Sequence, residues 1–397
     1  VISPGSSASS SLTISTTPST PAGDYTVTIT GRYGTVSHSA TVTITVTGDF
    51  SVTVTPTNPA VAVGSSSNVI ISLNSTGLSG QVSLSASILP SSPNTVSVSF
   101  SQNKVPISPG GSALSAMTVS ASPSTPPGAY SLIVNATSGN ISHLTIVTLN
   151  VGDFSISSNS PSSTLVSGSS GSTLITVSSV SSFTGTVTLS ASLSSGTGSG
   201  ISCSLSLGSI TLSQAGGLGT TTLSCSSSSA GTYDVTVTGV SGSLSHSATT
   251  RFIVTDFTIS ANSPAAVSAG ASATITVSIS AVNGFTGTVT LTDNIAPGLT
   301  CSAIAPSNVL SSGTATVSCN SLSPGPYSVT ITGASGSLSH STTLTIVVQD
   351  FTLSTGSTSV STVAQATASS TLSVAGQNGF SGTVSLGTFV SPNNGLT

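Results

Sequence analysis

Residues 325–348 read GPYSVTITGASGSLSHSTTLTIVV and show the clearest periodic pattern in the chain. Tyr327, Val329 and Ile331 alternate with serine and threonine, so their side chains fall on one face of an extended chain. The same alternation resumes from residue 338 and continues to residue 348. A period of two in both halves predicts two neighbouring strands, each with one buried and one solvated face.

This stretch belongs to a repeat whose four landmarks follow one another in a fixed order along the chain. The landmarks are an Asp-Phe pair, a Gly-hydrophobic-Ser/Thr-Gly-x-Val-Ser/Thr-Leu segment, a Gly-x-Tyr triplet and a Ser-His pair. The first landmark, spaced by 104, 103 and 94 residues, is found at Asp49-Phe50, Asp153-Phe154, Asp256-Phe257 and Asp350-Phe351. The last two landmarks carry Tyr25, Tyr130, Tyr233 and Tyr327, and His38, His143, His246 and His340. Such a period indicates a tandem array of similar units.

Within one unit, short alternating runs rich in valine and threonine are separated by glycine, proline and asparagine. About seven strands in a unit of about 100 residues predict an all-β chain of tandem immunoglobulin-like β-sandwich domains. The expected domains are 49–152, 153–255 and 256–349, with the second half of a domain at 1–48 and the first half at 350–397. Because the last strand of a unit runs through Gln349 directly into Asp350-Phe351 without a linker, the domains are expected to form a rod. The Gly-x-Tyr tyrosines are predicted to form tyrosine corners, in which the phenol caps an upstream turn.

The two incomplete halves complement each other. Together they contain 96 residues, which is within the range of the complete units. In such a joined unit Val1 would stand where Cys301 stands, and Thr17 where Cys319 stands. We expect either an excerpt from a longer array or a subunit that completes its end domain with a neighbour, and the sequence leaves both open.

The four cysteines form two local pairs, Cys203 with Cys225 and Cys301 with Cys319. Even numbers of cysteines in corresponding places predict disulfides and an extracellular, oxidising setting. No Cys-x-x-Cys spacing or Cys/His cluster points to a structural metal site.

The composition excludes several function classes. Lysine and arginine together number 3 and charged residues make up 3% of the chain, so it cannot neutralise a run of phosphates and is not expected to bind nucleic acid. No apolar run reaches the roughly 18 residues of a membrane helix. Lys104 is the only lysine and there is no glutamate, which excludes Lys-Asn isopeptide crosslinks in nearly every unit.

The histidines and aspartates of the repeat are expected to be structural. Each histidine should lie at the end of the core, hydrogen-bonded to backbone or to the nearby tyrosine, while each Asp of Asp-Phe caps a turn. The isolated aspartates do not form a calcium pattern. Serine and histidine side chains that are adjacent on a strand point to opposite faces, which disfavours a Ser/His/Asp hydrolase. The chain is therefore expected to be no enzyme and to hold no cofactor or metal.

Three asparagines match the Asn-x-Ser/Thr glycosylation pattern, namely Asn74, Asn135 and Asn140. Glycans would explain how a chain with a net charge of only -4 stays soluble. The alternative is that its hydroxyl-rich faces pack against other chains.

With its Pro-x-Gly-x-Tyr-x-Val motif and Asp-Phe repeat start, the chain resembles tandem immunoglobulin-like repeats of bacterial and archaeal surface proteins. The charge-poor, Ser/Thr-rich composition is similar to that of archaeal pilins and other extracellular filament subunits. The first hypothesis is therefore an extracellular structural protein that forms a surface fibre or filament with copies of itself, joined end to end and possibly also laterally. The alternatives are a stalk or glycan-binding array of a large adhesin, or a spacer in a secreted hydrolase.

Overall fold

A computed structural model describes residues 2–90, 95–197 and 200–390. These residues form strands, turns and extended segments, and none of them lies in an α-helix. Accordingly, no helix within this part of the chain is long and apolar enough to cross a membrane. The first two strands, β1 (Gly23–Tyr33) and β2 (Val36–Val46), form a hairpin that is a sheet by itself.

The unit that follows is a sandwich of two sheets. Its strands are β3 (Asp49–Thr55), β4 (Ala60–Ala62), β5 (Ser66–Thr76), β6 (Gly80–Leu89), β7 (Val96–Phe100), β8 (Lys104–Ile107), β9 (Ser112–Ala121), β10 (Gly128–Ser138) and β11 (Ile141–Ser158). One sheet has the order β3-β5-β9-β7, and the other has the order β11-β10-β6-β8, with β4 parallel to β11. The remaining pairings within the unit are antiparallel.

The next two units repeat this topology. The second contains β12 (Ser162–Val166), β13 (Ser170–Val180), β14 (Gly185–Gly196), β15 (Ser202–Leu205), β16 (Ser209–Leu212), β17 (Leu218–Ser226), β18 (Gly231–Ser241) and β19 (Leu244–Ala261). The third contains β20 (Val267–Ser268), β21 (Ala273–Val282), β22 (Thr288–Ile295), β23 (Thr300–Cys301), β24 (Asn308–Leu310), β25 (Gly313–Asn320), β26 (Gly325–Ser335) and β27 (Leu338–Thr355). Beyond them, β28 (Leu372–Gln377) pairs with the end of β27.

Alternation of side chains explains why these segments become strands around a common core. In β3, Phe50, Val52 and Val54 are 2–7% exposed, while Ser51 and Thr53 between them face solvent. Leu73 on one sheet and Leu132 on the other are both fully buried in the same cluster. The predicted all-β class of tandem immunoglobulin-like sandwiches is confirmed. Each complete unit has nine strand segments instead of about seven, because short strands such as β4 and β8 add to the sheet edges.

Three strands of 18 residues each are shared by successive units: β11, β19 and β27. In β11, Val151 pairs with Gly128 of the same unit, whereas Asp153 pairs with Val180 of the next unit. The strand therefore changes its partner within two residues while its backbone stays extended. The junction before the first sandwich differs, since β2 ends at Val46 and β3 begins at Asp49.

Candidate functional site: an Asp-Phe-His cluster at the head of each unit

The aspartate of each Asp-Phe pair lies where a strand enters a new sandwich. Its Oδ1 atom accepts a hydrogen bond from the backbone N–H of the following phenylalanine, at 2.7–2.8 Å in all four repeats. A carboxylate that accepts from the next residue fixes the local backbone at the point where the strand changes partner. The expectation that these aspartates cap a turn is wrong for Asp153, Asp256 and Asp350, because each lies within a continuous strand and bonds the strand backbone.

The same Oδ1 atom accepts a second hydrogen bond from the repeat histidine. His143 Nε2 lies 2.7 Å from Asp49 Oδ1, and the corresponding distance is 2.8 Å for His246–Asp153 and for His340–Asp256. For these three histidines, the expectation of a bond to backbone or to a nearby tyrosine is wrong, because the partner is the aspartate. The two residues of a pair are 84 to 94 positions apart, and the sheet register alone brings them together.

Aromatic contacts complete the cluster. The rings of Phe50, Phe154 and Phe257 meet their histidines edge-on, with centroids 4.8–4.9 Å apart. Phe154 and Phe257 also pack against Phe183 and Phe285 of the glycine-rich landmark, with centroids 5.5–5.6 Å apart. The head of each complete unit therefore combines a buried aromatic ring with a partly exposed Asp–His pair. Such ring contacts add to stability beyond the burial of apolar area alone.

We expect Asp153→Ala to destabilise the unit at 153–255 by about 1–2 kcal/mol, because it removes the acceptor for both the Phe154 amide and His246. Asp153 is only 15% exposed, so solvent does not replace these bonds freely. Asp153→Asn retains an oxygen acceptor and should cost less. Hydrogen exchange of peptides from the unit that carries the substitution measures the change. Asp293→Ala, at an exposed aspartate in β22, serves as the control. An equal loss in both variants would contradict the assigned role.

The hydrogen bond from His143 and, next, that from the Phe50 amide hold the pKa of Asp49 below its usual value. A carboxyl group whose pKa is lower in the folded state stabilises the fold above the unfolded pKa of about 4, and this contribution disappears as pH falls through the folded pKa. We therefore expect the unit at 49–152 to lose stability as pH falls below about 4. Asp49→Asn should flatten this dependence in hydrogen exchange measured across the acid range. An unchanged pH profile in that variant would exclude Asp49 as its source.

Contacts between successive units use a second set of residues, which the sequence did not indicate. Asn283, at the turn between β21 and β22, donates from Nδ2 to the carbonyls of Gly231 and Val254 in the preceding unit, at 2.7 and 3.0 Å. At the earlier junction, the backbones of the two units approach so closely at Gly152 that only glycine fits. A Cβ atom there would lie 2.9 Å from the backbone of Phe183. Successive units are thus in direct contact, through a side-chain amide at one junction and through closely packed backbone at the other.

The tyrosines of Gly-x-Tyr each donate to the carbonyl four residues upstream. The acceptors lie at 2.8–2.9 Å and are the carbonyls of Pro21 for Tyr25, Pro126 for Tyr130, Ser229 for Tyr233 and Ser323 for Tyr327. This geometry is that of a tyrosine corner, in which the phenol closes the turn before the strand.

Both predicted disulfides are present. Cys203–Cys225 joins β15 to β17, and Cys301–Cys319 joins β23 to β25, with Cα atoms 4.1 and 4.0 Å apart. Each bond fastens a short edge strand to the body of its sheet. Thr17, expected at a position equivalent to Cys319, lies near a turn where its hydroxyl bonds those of Ser19 and Thr20. The predicted joining of Val1 to Thr397 lies outside the described residues.

The three glycosylation candidates differ in accessibility. Asn140 is exposed in the two-residue turn between β10 and β11. Asn74 is exposed on β5, but Asn135 is half-buried in the middle of β10, where its Oδ1 accepts from Ser142 at 3.0 Å. The turn position is therefore the most open of the three to a modifying enzyme.

Charged contacts elsewhere are sparse. Arg251 forms a two-pronged ion pair with Asp234 on the outer face of β18 and β19, at 2.8 and 3.0 Å. Within residues 2–90, 95–197 and 200–390, no three His, Cys, Asp or Glu side chains come together to hold a metal ion.

No protein-family model and no curated protein matches the chain. Among solved structures, a three-Ig segment of titin is 12% identical with a TM-score of 0.33, covering 76% of this chain and 98% of its own. Invasin, a bacterial integrin-binding protein, is 17% identical with a TM-score of 0.27, and the match spans 77% of this chain and 61% of invasin. The D0-D1 domain of intimin is 18% identical with a TM-score of 0.20, covering 50% of this chain and 100% of its own.

Proposed function

We propose that the chain is an extracellular structural protein whose stacked sandwiches form a stiff segment of a surface fibre or filament. The observation that carries the proposal is the sharing of β11, β19 and β27 by successive units. A strand of 18 residues spans about 60 Å and bends little while both of its halves are hydrogen-bonded. Units joined in this way cannot swing as beads on a flexible linker would.

Two further features support this role. The disulfides favour an oxidising compartment outside the cytoplasm. The outward strand faces carry serine and threonine with few charges, so they can be buried against other chains without the cost of desolvating ions. Lateral packing of rods into a fibre is therefore physically reasonable for this surface.

The proposal includes no catalysis. In the three complete units, the repeat histidine is held between an aspartate and a phenylalanine ring. The adjacent serines point to the other face of the strand, as Ser142 does beside His143. In this arrangement the histidine packs and bonds within the fold, and the neighbouring serine supplies no nucleophile beside the imidazole.

Small-angle X-ray scattering of the purified chain tests the stiffness directly. We expect the scattering of an extended rod with the cross-section of one sandwich. A variant with a six-residue Gly-Ser insertion after Gly152 should scatter as a bent or flexible particle and is the matched comparison. Indistinguishable flexible profiles for both chains would overturn the proposal.

A second candidate is a stalk or glycan-binding array of an adhesin. Tyr33, at the tip of the β1–β2 hairpin, is 90% exposed and offers an aromatic surface on which a sugar ring could stack. Tyr33→Phe keeps the ring, so loss of glycan-array binding in both Tyr33→Phe and Tyr33→Ala would argue against stacking. Loss in the alanine variant alone would support it.

Glycosylation is expected first at Asn140, since it is exposed in a turn. In the native host material, we expect peptide mass spectrometry to find a glycan on Asn140 and to find less on Asn135. Asn140→Gln should remove that mass without changing stability by more than about 0.5 kcal/mol. Material that carries no glycan at Asn140 would contradict the prediction and favour packing against other chains.

A further inference from the structure

We propose that Asn283 is a site of spontaneous deamidation, and that loss of its side-chain amide loosens the junction between the units at 153–255 and 256–349. The modification needs water and the following glycine, and it needs no enzyme. This inference goes beyond the proposed function, because it concerns one junction within the chain and not the assembly of a fibre. It follows from the turn that holds Asn283, from the contacts of its amide and from the chemistry of asparagine next to glycine.

Asn283 and Gly284 are the two central residues of the turn between β21 and β22. The Phe285 N–H donates to the Val282 carbonyl at 3.3 Å and closes the turn. Both central residues have a positive φ, 56° for Asn283 and 82° for Gly284. This is the pattern of a type I′ turn, in which asparagine and glycine are favoured because they tolerate a positive φ. The turn therefore explains why an asparagine stands directly before a glycine here.

The side-chain amide of Asn283 fastens this turn to the preceding unit. Nδ2 donates to the Gly231 carbonyl at 2.7 Å and to the Val254 carbonyl at 3.0 Å, so both of its N–H groups are used. Gly231 and Val254 lie opposite each other in the pairing of β18 with β19. These two hydrogen bonds, called the clasp below, therefore join the turn to both strands at once. A corresponding bond recurs 95 positions further along, where Asn378 Nδ2 donates to the Val348 carbonyl at 3.3 Å.

Deamidation begins when the backbone nitrogen of Gly284 attacks Cγ of Asn283. A bond forms between these two atoms, and the bond from Cγ to Nδ2 breaks. The glycine nitrogen gives up its proton through solvent, and Nδ2 takes up a proton and leaves as ammonia. Water then opens the resulting five-membered cyclic imide at either of its carbonyls, which leaves aspartate or isoaspartate. One water is consumed and one ammonia is released overall, and no atom is oxidised or reduced.

The surroundings of the turn permit this reaction. Glycine has no side chain that would hinder the attacking nitrogen. A Cβ atom built on Gly284 would meet no atom of the described residues within 4 Å apart from its chain neighbours, so there is room for the ring. Asn283 is exposed, and water therefore reaches its side chain. The site thus has the nucleophile, the space and the solvent that the reaction needs.

The clasp controls how fast the reaction proceeds. Attack requires the side chain of Asn283 to rotate until Cγ meets the Gly284 nitrogen, and this rotation breaks the hydrogen bonds to Gly231 and Val254. The amide therefore reacts from the opened junction, in which neither bond is formed. A closed junction protects Asn283, whereas each opening exposes it to an irreversible change.

The product no longer forms the clasp. A carboxylate has acceptors only, and at residue 283 it would face two carbonyl oxygens that are acceptors as well. Both carbonyls would lose their donor and meet a negative charge. Isoaspartate also adds a carbon to the backbone of the turn and changes the direction of the chain between β21 and β22. The two units then stay connected through β19 but lose this second attachment.

Three full chains test the protection: the parent, a chain with a six-residue Gly-Ser insertion after Thr255, and a chain with the same insertion after Gly152. The first insertion separates the units that the clasp joins. The second opens the earlier junction, leaves the clasp in place and is the matched control. Peptide mass spectrometry after incubation at mildly alkaline pH measures deamidation at Asn283. We expect it to be about 10- to 30-fold faster than in the parent for the insertion after Thr255, because two hydrogen bonds no longer hold the amide.

In the control chain, the rate at Asn283 should stay within about twofold of the parent rate. Equal rates in all three chains would show that the clasp does not protect the amide and would overturn the inference. Absence of deamidation at Asn283 in the chain with the insertion after Thr255 would overturn it as well.

A second measurement tests the effect on the junction. Asn283→Asp supplies the aspartate product directly, and its small-angle X-ray scattering should show a more bent or flexible particle than the parent. Asn294→Asp adds the same charge at an exposed position of β22 in the same unit, away from the turn, and should scatter as the parent does. Identical scattering from both variants would contradict the loosening of the junction.

The outcome is separable from that of the proposed function. A parent chain that scatters as a flexible particle would overturn the stiff rod, and the three deamidation rates would still decide whether the clasp protects Asn283. A stiff parent with equal rates in all three chains would remove the clasp and leave the structural role in place.

Discussion

Phe257→Ala should lower the free energy of unfolding of the sandwich at 256–349 by about 3–5 kcal/mol. Phe257 is 1% exposed and packs against Phe285 with ring centroids 5.5 Å apart. It also contacts the ring of His340 edge-on, with centroids 4.9 Å apart. Removing the ring leaves a cavity that strands on both sheets cannot close, because their hydrogen bonds fix the spacing. Since a small sandwich has only about 5–15 kcal/mol of stability in total, this is a large share of it.

Hydrogen exchange followed by mass spectrometry measures the loss unit by unit, which a single melting curve of a multi-domain chain does not. Phe389→Ala is the matched control, because Phe389 is 91% exposed and the same atoms are removed. We expect the control to change stability by less than about 0.5 kcal/mol. Similar losses in both variants would show that the Asp-Phe phenylalanine is not a core anchor.

Reduction of the disulfides should destabilise the units at 153–255 and 256–349 by about 3 kcal/mol each. The bonds close loops with sequence separations of 22 and 18 residues, and reducing them restores conformational freedom to the unfolded chain. The expected readout is faster exchange in both units after treatment with a reductant. The double variant Cys301→Ala/Cys319→Ala should reproduce the effect in the unit at 256–349 alone.

The chain contains its own control for this experiment. The sandwich at 49–152 has the same topology and no cysteine, so its exchange should not respond to the reductant. If all three units accelerated equally, the effect would come from the solvent conditions and not from the bonds. If none accelerated, the disulfides would be dispensable for stability.

Local patterns made the fold predictable. The alternation in residues such as Val329 and Ile331 sets which face is buried, and Gly-x-Tyr marks the turn before the strand, so sandwich architecture follows from the sequence. Cysteines at corresponding places in two units indicated which pairs would bond. These features depend on neighbours a few residues apart, or on repetition of a single pattern.

The Asp–His pairing was not predictable in the same way. Asp153 and His246 are 93 positions apart, and they meet because the first and last strands of one sandwich begin at the same end. A single sequence shows that both residues recur but not that they touch. The bonds from Asn283 to the preceding unit were missed for a related reason, since asparagine in a turn is usual and its partner lies across a junction.

Strand sharing also governs how an array of such units would come apart. When one sandwich opens, it releases half of a strand whose other half is an edge of the next sandwich, so that neighbour loses stability as well. Melting is then a nearest-neighbour process, as in a one-dimensional lattice with a favourable coupling energy. Interior units, which share strands with two neighbours, would unfold at higher denaturant concentration than terminal units. Lengthening the array would therefore raise its resistance to denaturation without any change in the individual cores.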